Sequence, residues 1–266
     1  VAPCGAEPHR ACGSSEAYLI FGRVNTLRLS RSAAAAQLAG DGWRELSEAL
    51  GSGAICPAAS DLKAARGQRV FARDGMLADV LAFPPGAPIR SHPLLEHGSI
   101  LLQDRASCAV AHVACPSSGA TVLDACAAPG KKSAHLAALV GRSGRVFAFD
   151  KDPGRVQTLS QLLARLGLTS LVSAAHADFA TLRPDDPAYS RVEVIVLDPS
   201  CSGSGTTFFH SRDTPPAYFA ATQLRLLRHA LAFPSARRVV YSTCSVHADE
   251  NELVVAQALA AAPSGR

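Results

Sequence analysis

Two cysteines stand in company that suits nucleophilic chemistry. Cys201 lies in Leu197-Asp-Pro-Ser-Cys-Ser-Gly-Ser-Gly205, and Cys244 lies in Tyr241-Ser-Thr-Cys-Ser245. Each follows a short apolar run of the kind that forms a buried strand, so each falls in a Ser-rich loop at a strand end. If those strands are sheet neighbours, both thiols face one crevice. A thiol works as a nucleophile only as its thiolate, and a free cysteine has a pKa of about 8.5. Helix N-termini and nearby lysines lower that value. For either cysteine alone the plainer reading is an inert, buried small hydrophobe. Two at equivalent strand ends, near Asp198, weaken that reading.

The elements that would position them recur from about residue 119 onward. Apolar runs over Thr121–Asp124, Arg145–Asp150, Leu171–Asp178, Glu193–Asp198 and Arg238–Thr243 read as strands. Helices are expected over Ser133–Val140, Pro153–Leu166, Ala217–Ala232 and Ala248–Ala261, with Gly141 and Gly167 as stops. Strands alternating with helices form a parallel sheet covered on both faces. Ligands of such sheets bind beyond the carboxyl ends of the strands. Asp124, Asp150, Asp178 and Asp198 all stand at such ends. A lone aspartate there is usually a helix cap; four in register point to a ligand.

Upstream, Tyr18–Arg28 reads as a strand, followed by a helix over Ala33–Leu38 capped by Ser30 or Ser32. A second helix is expected over Trp43–Leu50, then extended runs at Val70–Ala72 and Met76–Phe83. Pro84-Pro-Gly-Ala-Pro88 marks a boundary. The expected architecture is therefore α/β: a Rossmann-like domain over 91–266 behind a small α+β module over 1–90.

Three ligand types compete for the crevice. A phosphate-binding loop needs a glycine five places before Gly130 and Ser or Thr directly after Lys131, where the chain has Ala125 and Lys132. A dinucleotide fingerprint needs G-x-G-x-x-G, where the chain has Ala125-Cys-Ala-Ala-Pro-Gly130. Asp150 nevertheless lies twenty residues past Gly130, the spacing of a ribose-binding acid. S-adenosylmethionine fits better, with its ribose, adenine and amino-acid tail. Small residues at the first turn allow close backbone approach, and Asp150, Asp178 and Asp198 supply acceptors in order. The cysteines then acquire a task. Carbon 5 of cytosine is too weak a nucleophile to attack a methylsulfonium unaided. A thiolate adding at carbon 6 makes it enamine-like, a carboxyl group at N3 helps that addition, and the thiol must afterwards be eliminated.

Asp124-Ala-Cys-Ala-Ala-Pro-Gly-Lys-Lys-Ser133, Leu197-Asp-Pro-Ser-Cys-Ser-Gly203 and Ser242-Thr-Cys-Ser245 with Glu250-Asn-Glu252 resemble the Nol/Nop/Sun RNA cytosine-5 methyltransferases, and the fifth eukaryotic member most. Arg23-Val-Asn-Thr-Leu-Arg28 and Leu102-Gln-Asp-Arg-Ala-Ser107 extend the likeness over about residues 18 to 260. The resemblance implies an S-adenosylmethionine-dependent methyltransferase acting on ribosomal RNA in the nucleus, in the nucleolus. It implies that Cys244 attacks the base, that Cys201 assists product release, and that Asp198 contacts cytosine and the methionine end of the cofactor. Cys126, Ala127, Ala128, Pro129, Gly130, Lys131 and Lys132 would form the cofactor loop, with Asp150 and Arg155 on the ribose side and Asp178 at the adenine. The family pattern Pro-Gly-Gly-Lys-Thr here reads Pro129-Gly-Lys-Lys-Ser133, so Lys132 takes the lysine's place. The family also adds a final antiparallel hairpin, which the chain is expected to lack.

Other features bound the reading. The 266 residues are 48% hydrophobic and 18% charged, which excludes a disordered chain. No apolar run approaches the roughly 20 residues of a membrane span, and no secretory signal is evident at the N-terminus. Eight cysteines with no C-x-x-C pair point to free thiols rather than disulfides or zinc, so no metal is expected. The net charge of +4 permits an RNA partner without demanding one. Phe208, Phe209, Tyr218 and Phe219 could stack on bases or pack in the core. Arg212, Arg225 and Arg228 could meet phosphate, and Arg23, Arg28, Lys63, Arg66, Arg69 and Arg73 could give the first module a second RNA surface. A monomer is expected. The rival from another class is an RNA-binding ribosome assembly factor with a retained but inactive methyltransferase fold.

Overall fold

The computed structural model describes residues 18–46, 59–206 and 214–261. Its first sheet contains β1 (Ile20–Val24), β2 (Arg44–Glu45), β3 (Val70–Arg73), β4 (Val80–Phe83) and β5 (Ile100–Leu102), in the order β2-β3-β4-β1-β5. Helices α1 (Arg31–Gly40), α2 (Ala59–Ala64) and α3 (Pro93–Glu96) accompany it. The Ser30 hydroxyl caps α1 by accepting from the Ala33 N–H at 3.1 Å. Strand β5 lies beyond the proline-rich stretch at 84–88, so the sheet runs on to Leu102.

The helix expected over Trp43–Leu50 does not form in its described part; residues 47–50 lie outside the described residues. The Arg44 N–H donates to the Arg69 carbonyl at 2.9 Å and the Leu46 N–H to the Phe71 carbonyl at 2.8 Å, which pairs β2 with β3. Trp43 is buried, edge-on to Phe83 at 5.6 Å between ring centroids. Strand pairing and burial of a large ring override the local helical preference.

The second sheet joins β6 (Thr121–Asp124), β7 (Arg145–Asp150), β8 (Val172–His176), β9 (Val192–Leu197) and β10 (Arg238–Tyr241) in the order β10-β9-β6-β7-β8. All its pairings are parallel. Alternating side chains serve opposite faces, as strand geometry requires. Val122, Val146, Ala148, Val194 and Val196 pack with α4 (Arg105–Ala114), α5 (Lys131–Val140) and α6 (Pro153–Leu166). Leu123, Phe147, Phe149, Ile195 and Leu197 pack with α7 (Pro216–Leu231) and α8 (Glu252–Ala260). Successive strands run outward in both directions from the β6–β9 pair. That reversal opens the crevice in which such sheets bind ligands.

A buried polar seam joins the two sheets. Arg23, expected as a surface cation for RNA, is 0% exposed. Its Nε donates to Gln103 Oε1 at 3.0 Å, and its guanidinium reaches the Lys131 carbonyl. Burial lowers its pKa to about 10, opposed by the charge of Asp79. Asp79, on the β3–β4 turn, has His112 Nε2 of α4 at 2.7 Å and His135 Nε2 of α5 at 2.9 Å. Burial pushes the Asp79 carboxyl up, but the two imidazoles outweigh it and hold it well below the carboxylate range. Burial in turn lowers His135 to about 4, so it is neutral at pH 7. A divalent cation among these three side chains would add positive charge beside the buried guanidinium; Arg23 itself balances Asp79. Asp79→Ala strands that charge and is expected to cost about 3–5 kcal/mol. A urea midpoint equal to that of the wild type would disprove this.

Candidate active site

The loop after β6 is shaped for close approach. Ala125, Ala127 and Ala128 are buried, and the loop is tied to both neighbouring strands. The Ala125 N–H donates to the Val196 carbonyl at 2.9 Å and the Ala127 N–H to the Phe149 carbonyl at 2.8 Å. Pro129 is exposed, while Gly130 turns at φ +103° against α6. A Cβ on Gly130 would stand 2.7 Å from Leu159 Cδ1, so only glycine fits there. Helix α5 then starts with two lysines at the positive end of its dipole, an arrangement disfavoured by roughly 0.3–1 kcal/mol per charge. Lys132 is compensated: its Nζ meets Asp198 Oδ2 at 2.7 Å. Lys131 is exposed, and its carbonyl faces Arg23.

The four strand-end aspartates differ. The Asp150 carboxylate accepts from the Ala128 N–H at 3.2 Å and the Asp152 N–H at 3.1 Å. Arg155 lies 3.4 Å from it and donates to the Ala128 carbonyl at 2.8 Å. Asp178 is 38% exposed, accepts from the Ala180 N–H, and has Arg225 at 3.8 Å. Asp198 is 30% exposed between Lys132 and the Ser242 hydroxyl, which donates at 2.8 Å. Asp124 is buried like Asp150, which is 3% exposed, but turns to α5 instead of the loop after β6. It is 1% exposed and accepts from the Ser133 hydroxyl, and burial raises its pKa to about 6. Cys126 is likewise unreactive, its thiol pushed up to about 12 by burial.

Strands β9 and β10 are adjacent, with Leu197 opposite Tyr241, so the loops beyond them run side by side. Cys201 Sγ and Cys244 Sγ lie 2.9 Å apart, and the Cys244 N–H points at Cys201 Sγ at 3.3 Å. Cys244 is exposed and Cys201 half-buried. The contact drives the two thiols apart in acidity, Cys201 down and Cys244 up. At Cys201 the hydrogen bond from Cys244 outweighs burial, backbone N–H groups of Gly203 and Cys244 assist, and Cys201 is held down to about 6. The same bond pushes Cys244 up. Each sulfur thus has a proton partner in contact.

Behind the sulfurs lies a cage without a prior role: Glu250, buried, accepting from Ser202, Ser245 and Gln223. Its only sequence signal was Glu250-Asn-Glu252 within the motif. On the rim, Tyr218 is 70% exposed and edge-on to the partly buried Phe219; Arg225 and Arg228 are exposed. Phe208, Phe209 and Arg212 lie outside the described residues. In the first module Lys63, Arg66 and Arg69 are exposed, whereas Arg73 pairs with Glu45 at 2.6 Å and Arg28 is bonded to the His97 and Arg165 carbonyls. Cys201 alkylation by iodoacetamide should show a midpoint near 6, with Cys126 inert at neutral pH. A Cys201 midpoint at the free-thiol value of about 8.5 would refute that difference in acidity.

A family profile described as 16S rRNA methyltransferase RsmB/F matches residues 111–266. A second profile, the ferredoxin-like domain of NOL1/NOP2/Sun domain family member 5, matches residues 19–103. A Mus musculus relative named 28S rRNA (cytosine-C(5))-methyltransferase is 45% identical over 207 residues, covering 75% of this chain and 44% of the relative. An Arabidopsis thaliana relative, 25S rRNA (cytosine-C(5))-methyltransferase NSUN5, is 41% identical over 207 residues, covering 72% of this chain and 36% of its own length. The chain thus spans less than half of these relatives. A solved methyltransferase homolog protein from Pyrococcus horikoshii superposes with a TM-score of 0.68 at 28% identity, over 91% of this chain and 70% of that one. With a matched profile covering more than half of its length, the chain belongs to the RsmB/F family of rRNA methyltransferases, and the residues of its first sheet fall mostly within the match to the ferredoxin-like domain profile.

Proposed function

We propose that the chain transfers a methyl group from S-adenosylmethionine to carbon 5 of cytosine in RNA, through a covalent adduct on a cysteine. The observation that carries this is the 2.9 Å contact between Cys201 and Cys244 beside Asp198 at the crevice. The names of the relatives favour ribosomal RNA as the substrate, and the nucleus, in its nucleolus, as the place of action. A monomer suffices, because this one chain carries every group the scheme uses.

The residues present fit the cofactor. The buried alanine loop ending at Gly130 admits a close ligand, and Asp150, Asp178 and Asp198 stand along the crevice as acceptors. Asp150 would hold the ribose, with Arg155 over it, and Asp178 the adenine. Lys132 and Asp198 would border the amino-acid tail. Cys126, Ala127, Ala128, Pro129 and Lys131 complete the loop. When bound, S-adenosylmethionine supplies an electrophilic methyl group.

Cys244, the more exposed sulfur, attacks carbon 6. Its proton passes to Cys201, already in contact with it. Asp198 contacts the cytosine, and Ser242 and Lys132 fix its two oxygens. Afterwards Cys201 returns that proton to the Cys244 sulfur as the C6–S bond breaks, accepts the proton that leaves carbon 5, and releases it to solvent. The target base has to leave its stack to reach this crevice. Tyr218 and Phe219 offer a platform on the rim. We assign RNA contact also to the first module, through Lys63, Arg66 and Arg69, and take the catalytic unit to follow it.

S-adenosylhomocysteine at a hundredfold excess over its Kd is expected to stabilise the protein by about 2.7 kcal/mol in a melting experiment. Cys244→Ala should keep that shift and RNA binding while methyl transfer falls to background. Absence of the shift would contradict every methyltransferase reading. Unchanged transfer by Cys244→Ala would remove the cysteine adduct from the scheme.

A further inference from the structure

We propose that Glu250 is the positioning residue that holds the Cys201 and Cys244 sulfurs in contact. The proposal rests on the reading of those thiols as the reacting pair, and deepens it. Glu250 ends the short helical turn Ala248–Glu250 ahead of α8, and it is 0% exposed. Its Oε1 accepts from the Ser202 N–H at 2.9 Å and from Gln223 Nε2 at 3.0 Å. Its Oε2 accepts from the Ser245 hydroxyl at 2.6 Å and from the Ser202 hydroxyl. Ser202 and Ser245 are the residues directly after the two cysteines. One carboxylate therefore grips both sulfur-bearing loops one residue from each sulfur.

The grip is reinforced around it. The Gly205 N–H donates to the Cys244 carbonyl at 2.9 Å, an approach that a side chain at 205 would obstruct, since its Cβ would stand 2.9 Å from that oxygen. Ser204 Oγ lies 3.1 Å from Ser245 Oγ. Asn251 accepts from the Thr243 hydroxyl at 2.7 Å and donates to the Ser245 carbonyl at 3.0 Å. Gln223, from α7, also donates to the Ser200 carbonyl at 3.1 Å, so the cage spans three elements.

A carboxylate buried among neutral donors is an expensive way to stabilise a loop; apolar side chains of similar volume would do as well. What four donors on one rigid group provide is a fixed geometry. Electrostatic activation of the thiols is not its role, because a negative charge behind Cys201 opposes the thiolate. Position remains.

The test measures sulfur apposition directly, with no need for methyl transfer. Diamide takes two hydrogens from a thiol pair, becoming its hydrazine, and leaves a disulfide between the sulfurs; peptide mass mapping identifies the pair closed. The reduced full chain should close Cys201 to Cys244. Glu250→Gln, which loses acceptor capacity while keeping size, should close that pair about tenfold more slowly, because displacements of an ångström slow reactions between fixed groups steeply. Its stabilisation by S-adenosylhomocysteine should match that of the wild type. Closure of Cys201 to Cys244 by folded Glu250→Gln at the wild-type rate overturns the proposal. If Glu250→Gln does not fold, Ser245→Ala decides: about threefold slower closure supports the grip, and the wild-type rate overturns it. Failure of the methyltransferase reading would appear separately, as no response to S-adenosylhomocysteine in any variant.

Discussion

Contact between two sulfur atoms 2.9 Å apart is the constraint on which the site depends. Two thiols so close cannot both ionise, so a single charge is divided unequally between them. The contact favours ionisation of the half-buried sulfur and opposes it at the exposed one. Neither state could be reached on one loop alone. Parallel pairing of β9 with β10 brings the two loops abreast, and the carboxylate of Glu250 fixes their separation.

The rest of the sheet provides the surroundings for that pair. Reversal of strand order, with successive strands running outward from β6 and β9, opens the crevice, and the alanine-lined turn after β6 forms one wall of it. Lys132 occupies a helix start where its charge is disfavoured, and Asp198 compensates for it across the crevice. Asp198 in turn stands next to the strand end that carries Cys201. The alanine-lined wall and the thiol wall are thus linked through one ion pair. The seam of Arg23, Asp79, His112 and His135 ties the ferredoxin-like sheet to α4 and α5. Because Arg23 bonds the carbonyl of Lys131, that seam reaches the start of α5, just after the loop that follows β6.

Much of this was legible in the sequence, and for physical reasons. Apolar runs of strand length, four of the five ended by acids and separated by helical segments, left little choice of architecture after residue 119, and each of those five strands is present. The nearness of Cys201, Cys244 and Asp198 was legible on the condition that their strands are neighbours, which the pairing of β9 with β10 meets. Side-chain environment was not legible. Arg23 looked like a surface cation, since nothing local announces a buried guanidinium whose partners lie at residues 79 and 103. Asp124 has the same strand-end position as Asp150, yet its carboxylate turns to Ser133 of α5 while that of Asp150 turns to the Ala128 N–H and Arg155. Trp43 followed a helix and preceded helix-forming residues, and only pairing with β3 made its segment extended. The role proposed for Glu250 depends on contacts spanning nearly fifty residues, which periodicity does not report.

RNA containing 5-fluorocytosine tests the central claim most directly. Fluorine at carbon 5 cannot leave as a proton does, so a cysteine that adds to carbon 6 and then sees methyl transfer stays attached. Digestion and mass spectrometry of the denatured complex would identify the linked residue. The expected linkage is to Cys244, formed only when S-adenosylmethionine is present. A linkage to Cys201, or fluorinated RNA that is bound without any covalent product, would contradict the account.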